Sequence, residues 1–163
     1  MHSPVDYGTH LPVVMRAMQL TTGPVLEMGM GYNSSYTMHW MCAARRRPIT
    51  SFESKPKWFV FARWFETDWH KIVLTRDWDA ADIEYDWDVA LLDFDSNPLR
   101  VNAAKRLAHR VKYIVLHDTN GRYFNLTHFD TLLPLFKWRW TYNQYTPHTT
   151  VFSNLVDLTG FGV

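Results

Sequence analysis

Four carboxylates stand at the ends of short apolar runs in this chain: Glu27, Glu53, Asp93 and Asp118. The first opens the pattern Glu27-x-Gly29-x-Gly31, and polar Ser34 and Ser35 follow it. Glycine lets a backbone turn sharply and come close to a ligand. A helix starting at Ser34 or Ser35 would point its unpaired N–H groups back at that turn. Such a place suits a nucleotide-like cofactor. The acid ahead of the glycines disfavours phosphate and favours positive charge, or hydroxyl and amine donors. Glu53 follows at about the spacing where an acid accepts both hydrogen bonds of a ribose. That spacing serves NAD and other adenosine-bearing cofactors alike. The third glycine of a dinucleotide fingerprint is missing, however, because Ser34 stands in its place. His117 beside Asp118 adds an imidazole, which titrates near neutrality and is a candidate general base.

These residues need a scaffold that gathers them, and the periodicity supplies one. Residues 11–20 carry apolar side chains at helical spacing, and Gly23-Pro24 ends that helix. Residues 25–28, 49–53, 70–74, 87–93 and 111–116 read as strands. The run 87–93, WDVALLD, has the unbroken apolar character of a strand buried on both faces. Helices are expected from Ser34 or Ser35 to about residue 46, over 55–65, over 98–109 and over 123–135. Arg45, Arg46 and Arg47 are expected to close the second helix, where cations complement its dipole. Residues 75–85 read as loop. The tail alternates in a strand-like way over 136–145 and 149–155, which predicts an antiparallel hairpin. Strands separated by helices imply parallel βαβ units. Ligands bind beyond the carboxyl ends of such strands, and all four acids fall there.

With these motifs the chain resembles the class I S-adenosylmethionine-dependent methyltransferases, over residues 24–119 and the terminal hairpin. The resemblance rests on Glu27-x-Gly29-x-Gly31, on Glu53, on the strand ending in Asp93 and on His117-Asp118-Thr119. It implies an α/β fold: a Rossmann-like three-layer sandwich whose mostly parallel seven-stranded sheet ends in an antiparallel hairpin. One domain over 1–163 is expected, with a helical segment at 1–22, a cofactor-binding core at 23–120, and a helix and closing hairpin at 121–163. The resemblance places Glu27, Gly29, Gly31, Ser34, Ser35 and Asp93 around S-adenosylmethionine, Glu53 on its ribose, and Asp77 or Trp78 against its adenine. His117 and Asp118 become the candidate catalytic pair. Tyr7 and His10 are candidates for a lid or acceptor contact. Some relatives bind a divalent cation through acids after the fourth and fifth strands. Asp93 and Asp118 match those positions, which would suit Mg2+. Thr119 stands where an amide ligand is expected.

Composition bounds the rest. The 163 residues carry a formal net charge of +1, so no bulk charge favours nucleic acid or membrane. The loop 93–98 also lacks the aromatic motif of enzymes that methylate amino groups of nucleic acids. No apolar stretch is long enough to span a bilayer. The single cysteine, Cys42, excludes an intrachain disulfide. With no leader-like pattern at 1–6, a cytoplasmic protein is expected. A compact chain points to a small-molecule acceptor, methylated on oxygen, or to a pocket completed in a homo-oligomer. Trp138, Trp140, Tyr142 and Tyr145 are candidates for that wall. Two other functions stand beside this one. The first is a binding or regulatory module that holds the cofactor without transferring methyl. The second is an NAD-type oxidoreductase, disfavoured by the glycine spacing.

Overall fold

The structure is a computed structural model that describes residues 8–120 and 128–163. Tyr7 and the expected start of a helix at 123 lie outside the described residues. Seven strands form one sheet: β1 (Val25–Met28), β2 (Ile49–Glu53), β3 (His70–Leu74), β4 (Trp87–Leu92), β5 (Val111–His117), β6 (Trp138–Tyr142) and β7 (Thr149–Ser153). Their order is β3-β2-β1-β4-β5-β7-β6. The first five run parallel, and β7 pairs antiparallel with both β5 and β6. The expected strands and closing hairpin are therefore present. The chain steps outward from β1 to β3, then returns to lay β4 on the other side of β1. In sheets of this order the ligand crevice lies beyond the carboxyl ends of the strands at that reversal, here β1 and β4.

Strand alternation sorts the side chains into two layers. Val25, Ile49, Val89, Leu91, Tyr113, Val115 and Val151 pack with α1 (Leu11–Gln19) and α2 (Ser34–Ala43). Leu26, Met28, Phe52, Ala90, Leu92, Ile114 and Leu116 pack on the other side with α4 (Asn97–Leu107). Each fully buried aliphatic of this kind contributes about 1.5–3 kcal/mol. The central strands β1 and β4 are buried at every position, as their apolar runs require. A third helix, α3 (Pro56–Ala62), continues as a 3-10 turn over Arg63–Phe65. The tail of the fifth expected helix is a 3-10 segment, Phe129–Leu135, with Pro134 inside it.

The arginine run departs from the sequence reading. The second helix ends at Ala43, so the arginines follow it rather than forming its last turn. Arg47 is buried and donates to the carbonyls of Gly23 (2.5 Å) and Met18 (3.0 Å) and to Thr21 Oγ1 (2.7 Å). It ties the end of α1 to the entry of β1, at the end of the sheet opposite the crevice. Helical dipole complementarity is a weak surface effect. Three acceptors gathered at a chain crossing offer a guanidinium more.

The turn after β1 depends on one glycine. Gly29 sits at φ +90°, and a Cβ added there would lie 2.1 Å from the Asp93 carbonyl oxygen. Left-handed strain and overpacking each cost on the order of 1–3 kcal/mol. Gly29→Ala should therefore lose at least about 2 kcal/mol of stability, seen in urea as a lower midpoint with an unchanged slope. A midpoint equal to that of the wild type would show that the turn has room to spare.

Candidate functional site

The glycine turn is held from below by two acids. Glu53, at the end of β2, accepts the Met30 N–H at 2.9 Å on one oxygen. Its other oxygen accepts the N–H groups of Ser54 (2.7 Å) and Lys55 (2.8 Å). The carboxylate thus bridges the glycine turn to the loop after β2, and three of its roughly four lone-pair positions are used. Glu27 points into the α2 layer and is fully buried. It accepts from Ser35 Oγ at 2.9 Å and from Ser51 Oγ at 2.6 Å, and Ser35 Oγ in turn accepts the Gly31 N–H at 3.0 Å. Glu27 therefore reaches the glycine turn through Ser35. Ser34 is buried beside Ser35 at the first turn of α2. Gly31 itself is open, because a Cβ there would meet nothing within 4 Å among the described residues.

The Glu27 contact continues as a buried polar chain. Ser51 Oγ lies 2.9 Å from His70 Nε2, and His70 Nδ1 lies 3.0 Å from His39 Nδ1. Glu27 and Ser51 are direct partners in the β1–β2 register, so alternation puts both on the face under α2. Burial pushes the Glu27 carboxyl up to about 7, against the hydrogen bonds from the serines. Burial lowers His70 to about 4, helped by His39.

A second cluster lies beyond β4 and β5. Asp93 Oδ1 is 3.1 Å from His117 Nδ1, and Asp93 Oδ2 is 3.6 Å from His10 Nδ1. The two imidazoles meet edge to face, with ring centroids 4.7 Å apart. His117 Nε2 is 3.0 Å from Thr9 Oγ1, whose hydroxyl donates to the Pro147 carbonyl at 2.9 Å. With that hydroxyl proton so engaged, Nε2 is the donor to Thr9, and Nδ1 donates to Asp93. Burial alone would lower the His117 pKa, but Asp93, and then Asp118, raise it. Burial alone would raise Asp93, but His117, His10 and Arg100 hold it well below the usual carboxylate range. His10 has weaker support, and burial lowers it to about 4.

Arg100 on α4 closes this cluster from the far side. It donates to Asp118 Oδ2 at 2.9 Å, approaches Asp93 Oδ1 at 3.2 Å, and donates to the carbonyls of Phe94 (2.5 Å) and His117 (3.2 Å). It stands between the two acids that the sequence reading paired around Mg2+. Asp118 takes φ +61°, a left-handed conformation that aspartate tolerates better than most residues. Thr119 accepts from Thr150 Oγ1, and Asn120 accepts the His148 N–H, so both bind the hairpin.

Other expected contacts lie in different surroundings. Trp78 is buried and stacked on Phe94 at 4.0 Å as part of the core. Asp77 is exposed and accepts the Asp79 N–H. Trp138, Trp140 and Tyr142 pack partly against the α1–α2 core, whereas Tyr145 is exposed. The sequence reading passed over Thr9, His39, Ser51, His70 and Arg100. Arg100 carried a readable sign: it is a charged residue four positions before Ala104, on a helix face that is otherwise apolar. The others are polar residues at inward strand positions or at crossings, where only the register reveals their partners.

No protein-family model and no curated protein sequence matches this chain, but solved structures do. A putative O-methyltransferase from Klebsiella pneumoniae matches with a TM-score of 0.64 at 13% identity, covering 94% of this chain and 82% of its own. Precorrin-6y C5,15-methyltransferase from Geobacter metallireducens matches with a TM-score of 0.60 at 14% identity, covering 89% and 87%. The N-terminal domain of human METTL16, solved in complex with SAH, matches with a TM-score of 0.60 at 11% identity, covering 91% and 71%. The chain thus has the fold of class I methyltransferases. Identities this low establish the fold and leave the acceptor open. Among the described residues, no helix is long and apolar enough to cross a membrane.

The buried chain fixes a pH signature. Folding raises Glu27 from 4.5 to about 7, so it favours the protonated form. That contribution is complete below about pH 4.5 and is lost as the pH rises through 7. His70 acts in reverse: its contribution is present above pH 6.5 and is lost as the pH falls through about 4. Glu27→Gln removes the first contribution and keeps the second. The stability of the variant relative to the wild type should rise by up to about 3 kcal/mol between pH 4.5 and 8, measured by urea unfolding. Parallel pH profiles would contradict this burial of Glu27.

Proposed function

We propose that this chain is an S-adenosylmethionine-dependent methyltransferase acting on oxygen of a small-molecule acceptor. The observation that carries this reading is the open glycine turn: Gly31 has free space where a side chain would stand, at the crevice where strand order reverses. A bound nucleoside-like ligand fits such a cradle, and two acids brace the turn beneath it. Gly29, Met30 and Gly31 would present backbone to the methionine part of the cofactor. Glu53 keeps one lone-pair position for a ribose hydroxyl. When bound, S-adenosylmethionine supplies an already activated methyl group, so the protein has mainly to align the acceptor and exclude water.

The Asp93–His117–Asp118 cluster stands at the neighbouring strand ends and would receive the acceptor. Transfer to oxygen would require the acceptor hydroxyl to give up its proton to a group at this cluster. His117 accepts a proton only when it is neutral and Nε2 has parted from Thr9. Asp118, with 24% of its side chain exposed, is the more accessible acid. The bond to Thr9 favours a second reading, a module that binds the cofactor without turnover. We place the protein in the cytoplasm; Cys42 is free and buried, with its thiol pushed up to about 11 by burial, so it takes no part in the chemistry.

Calorimetry with S-adenosylmethionine, S-adenosylhomocysteine and NAD tests the assignment. The first two should bind at one per chain, and NAD should not. Gly31→Val should cut that affinity at least about tenfold while leaving the melting temperature within about 2 °C, since its side chain enters open space. Unchanged affinity in that variant would remove the turn from the cofactor site. Against a panel of hydroxylated acceptors, Asp118→Ala and His117→Ala should each lower kcat by about 100-fold or more. Full turnover in both would end the proposed proton chemistry.

A further inference from the structure

Among the described residues, three buried polar atoms near the end of β5 have no hydrogen-bond partner: both ring nitrogens of His10 and Thr149 Oγ1. Only 1% of His10 is exposed. Thr149 is the direct partner of His117 across the β5–β7 ladder, so both side chains leave the sheet on one face. That is the face α1 covers, and His10 is the N-cap of α1. Unsatisfied buried polar groups are uncommon and cost on the order of 1–3 kcal/mol each. Two of the three belong to one imidazole that faces the Asp93 carboxylate, which indicates a ligand there.

We infer that His10, Asp93 and His117 form a binding site for a divalent first-row transition metal ion. Each residue offers one ligand atom, and these atoms lie within 4.8 Å of one another. Asp93 faces one imidazole with each oxygen: Oδ1 lies 3.1 Å from His117 Nδ1, and Oδ2 lies 3.6 Å from His10 Nδ1. Neighbouring ligands around an ion with bonds of about 2.1 Å stand roughly 3.0–3.4 Å apart. Two imidazoles and one carboxylate suit zinc, iron or cobalt, whereas magnesium and calcium prefer oxygen alone. This set differs from the Asp93–Asp118 pair, whose gap Arg100 fills.

Arg100 leaves one oxygen of Asp93 to the ion. Its guanidinium approaches Oδ1, which also faces His117, whereas Oδ2 is turned toward His10. An ion that displaces the His117 Nδ1 proton meets two carboxylates, one guanidinium and neutral imidazoles, which together carry one net negative charge. The outer bonds are those a ligating histidine needs: His117 Nε2 contacts Thr9 Oγ1, which the Pro147 carbonyl orients. Three protein ligands leave further positions on the ion, and Asp93, with 21% of its side chain exposed, faces outward. Resting on the methyltransferase reading, this ion would bind an acceptor hydroxyl and ease loss of its proton to Asp118, with His117 then serving as a ligand in place of a base.

The test uses the full chain, stripped with a chelator and titrated with Co2+ alone. Wild type should bind one cobalt per chain by elemental mass spectrometry and show visible absorption of nitrogen-ligated cobalt. His10→Phe, which fills the His10 position with an apolar ring, and Asp93→Asn should each weaken binding at least about 100-fold, with circular dichroism unchanged. Thr9→Val should weaken it about tenfold through the lost orienting bond. Should those variants fold poorly, Zn2+ must still raise the wild-type melting temperature. Absence of cobalt from wild type at millimolar metal, absence of that zinc shift, or one-to-one binding retained in His10→Phe overturns the site. Calorimetry with S-adenosylmethionine on the same samples keeps the two proposals apart. Cobalt bound without cofactor sinks only the methyltransferase reading, and cofactor bound without cobalt sinks only the metal site.

Discussion

Much of this molecule hangs on the closeness of two backbones. The turn at Gly29 lies so near the Asp93 carbonyl that no side chain fits between them. Gly29 donates its N–H to the Phe52 carbonyl, and Asp93 donates its own to Met28. The turn therefore rests on β2 on one side and on the end of β4 on the other. The consequence reaches beyond packing. The open turn at Gly31 and the polar cluster at Asp93 are thereby held at a fixed separation. A larger residue at position 29 would push them apart.

The four acids that stand at strand ends divide the labour. Glu53 binds the turn directly, and Glu27 binds it through Ser35. Asp93 and Asp118 hold Arg100 and the imidazole of His117. Buried charges persist only when paired or hydrogen-bonded, and here every acid has such partners. Glu27 is the most costly of them, since serine hydroxyls are its main support; its raised pKa records that cost. The preorganised turn and the charged cluster are therefore built from the same kind of residue in two different environments.

The strands and their order were legible because apolar runs and Gly/Pro punctuation are local signals. The run WDVALLD became a fully buried strand, and the alternating tail became the hairpin. The residues gathered at the crevice were legible as a group for the same reason: each closes a strand. What each side chain touches was much less so. The inward aim of Glu27 depends on its partnership with Ser51 across β1 and β2. His10 reads as a surface or lid residue until α1 is laid over β5 and buries it. Trp78 looked available to an adenine, but the helix-free loop 75–86 folds it onto Phe94. Arg47 reads as a helix end, yet three acceptors around residues 18–23 hold it inside. In each case a long-range pairing overrode the local reading.

The central claim is that the turn at Gly29–Gly31 holds an adenosyl cofactor. A crystal structure grown with S-adenosylhomocysteine tests it most directly. The account predicts the homocysteine part lying against the backbone of Gly29 to Gly31 and a ribose hydroxyl within hydrogen-bond distance of Glu53. A ligand seated elsewhere, or a turn still closed over an empty crevice at saturating ligand, would contradict it.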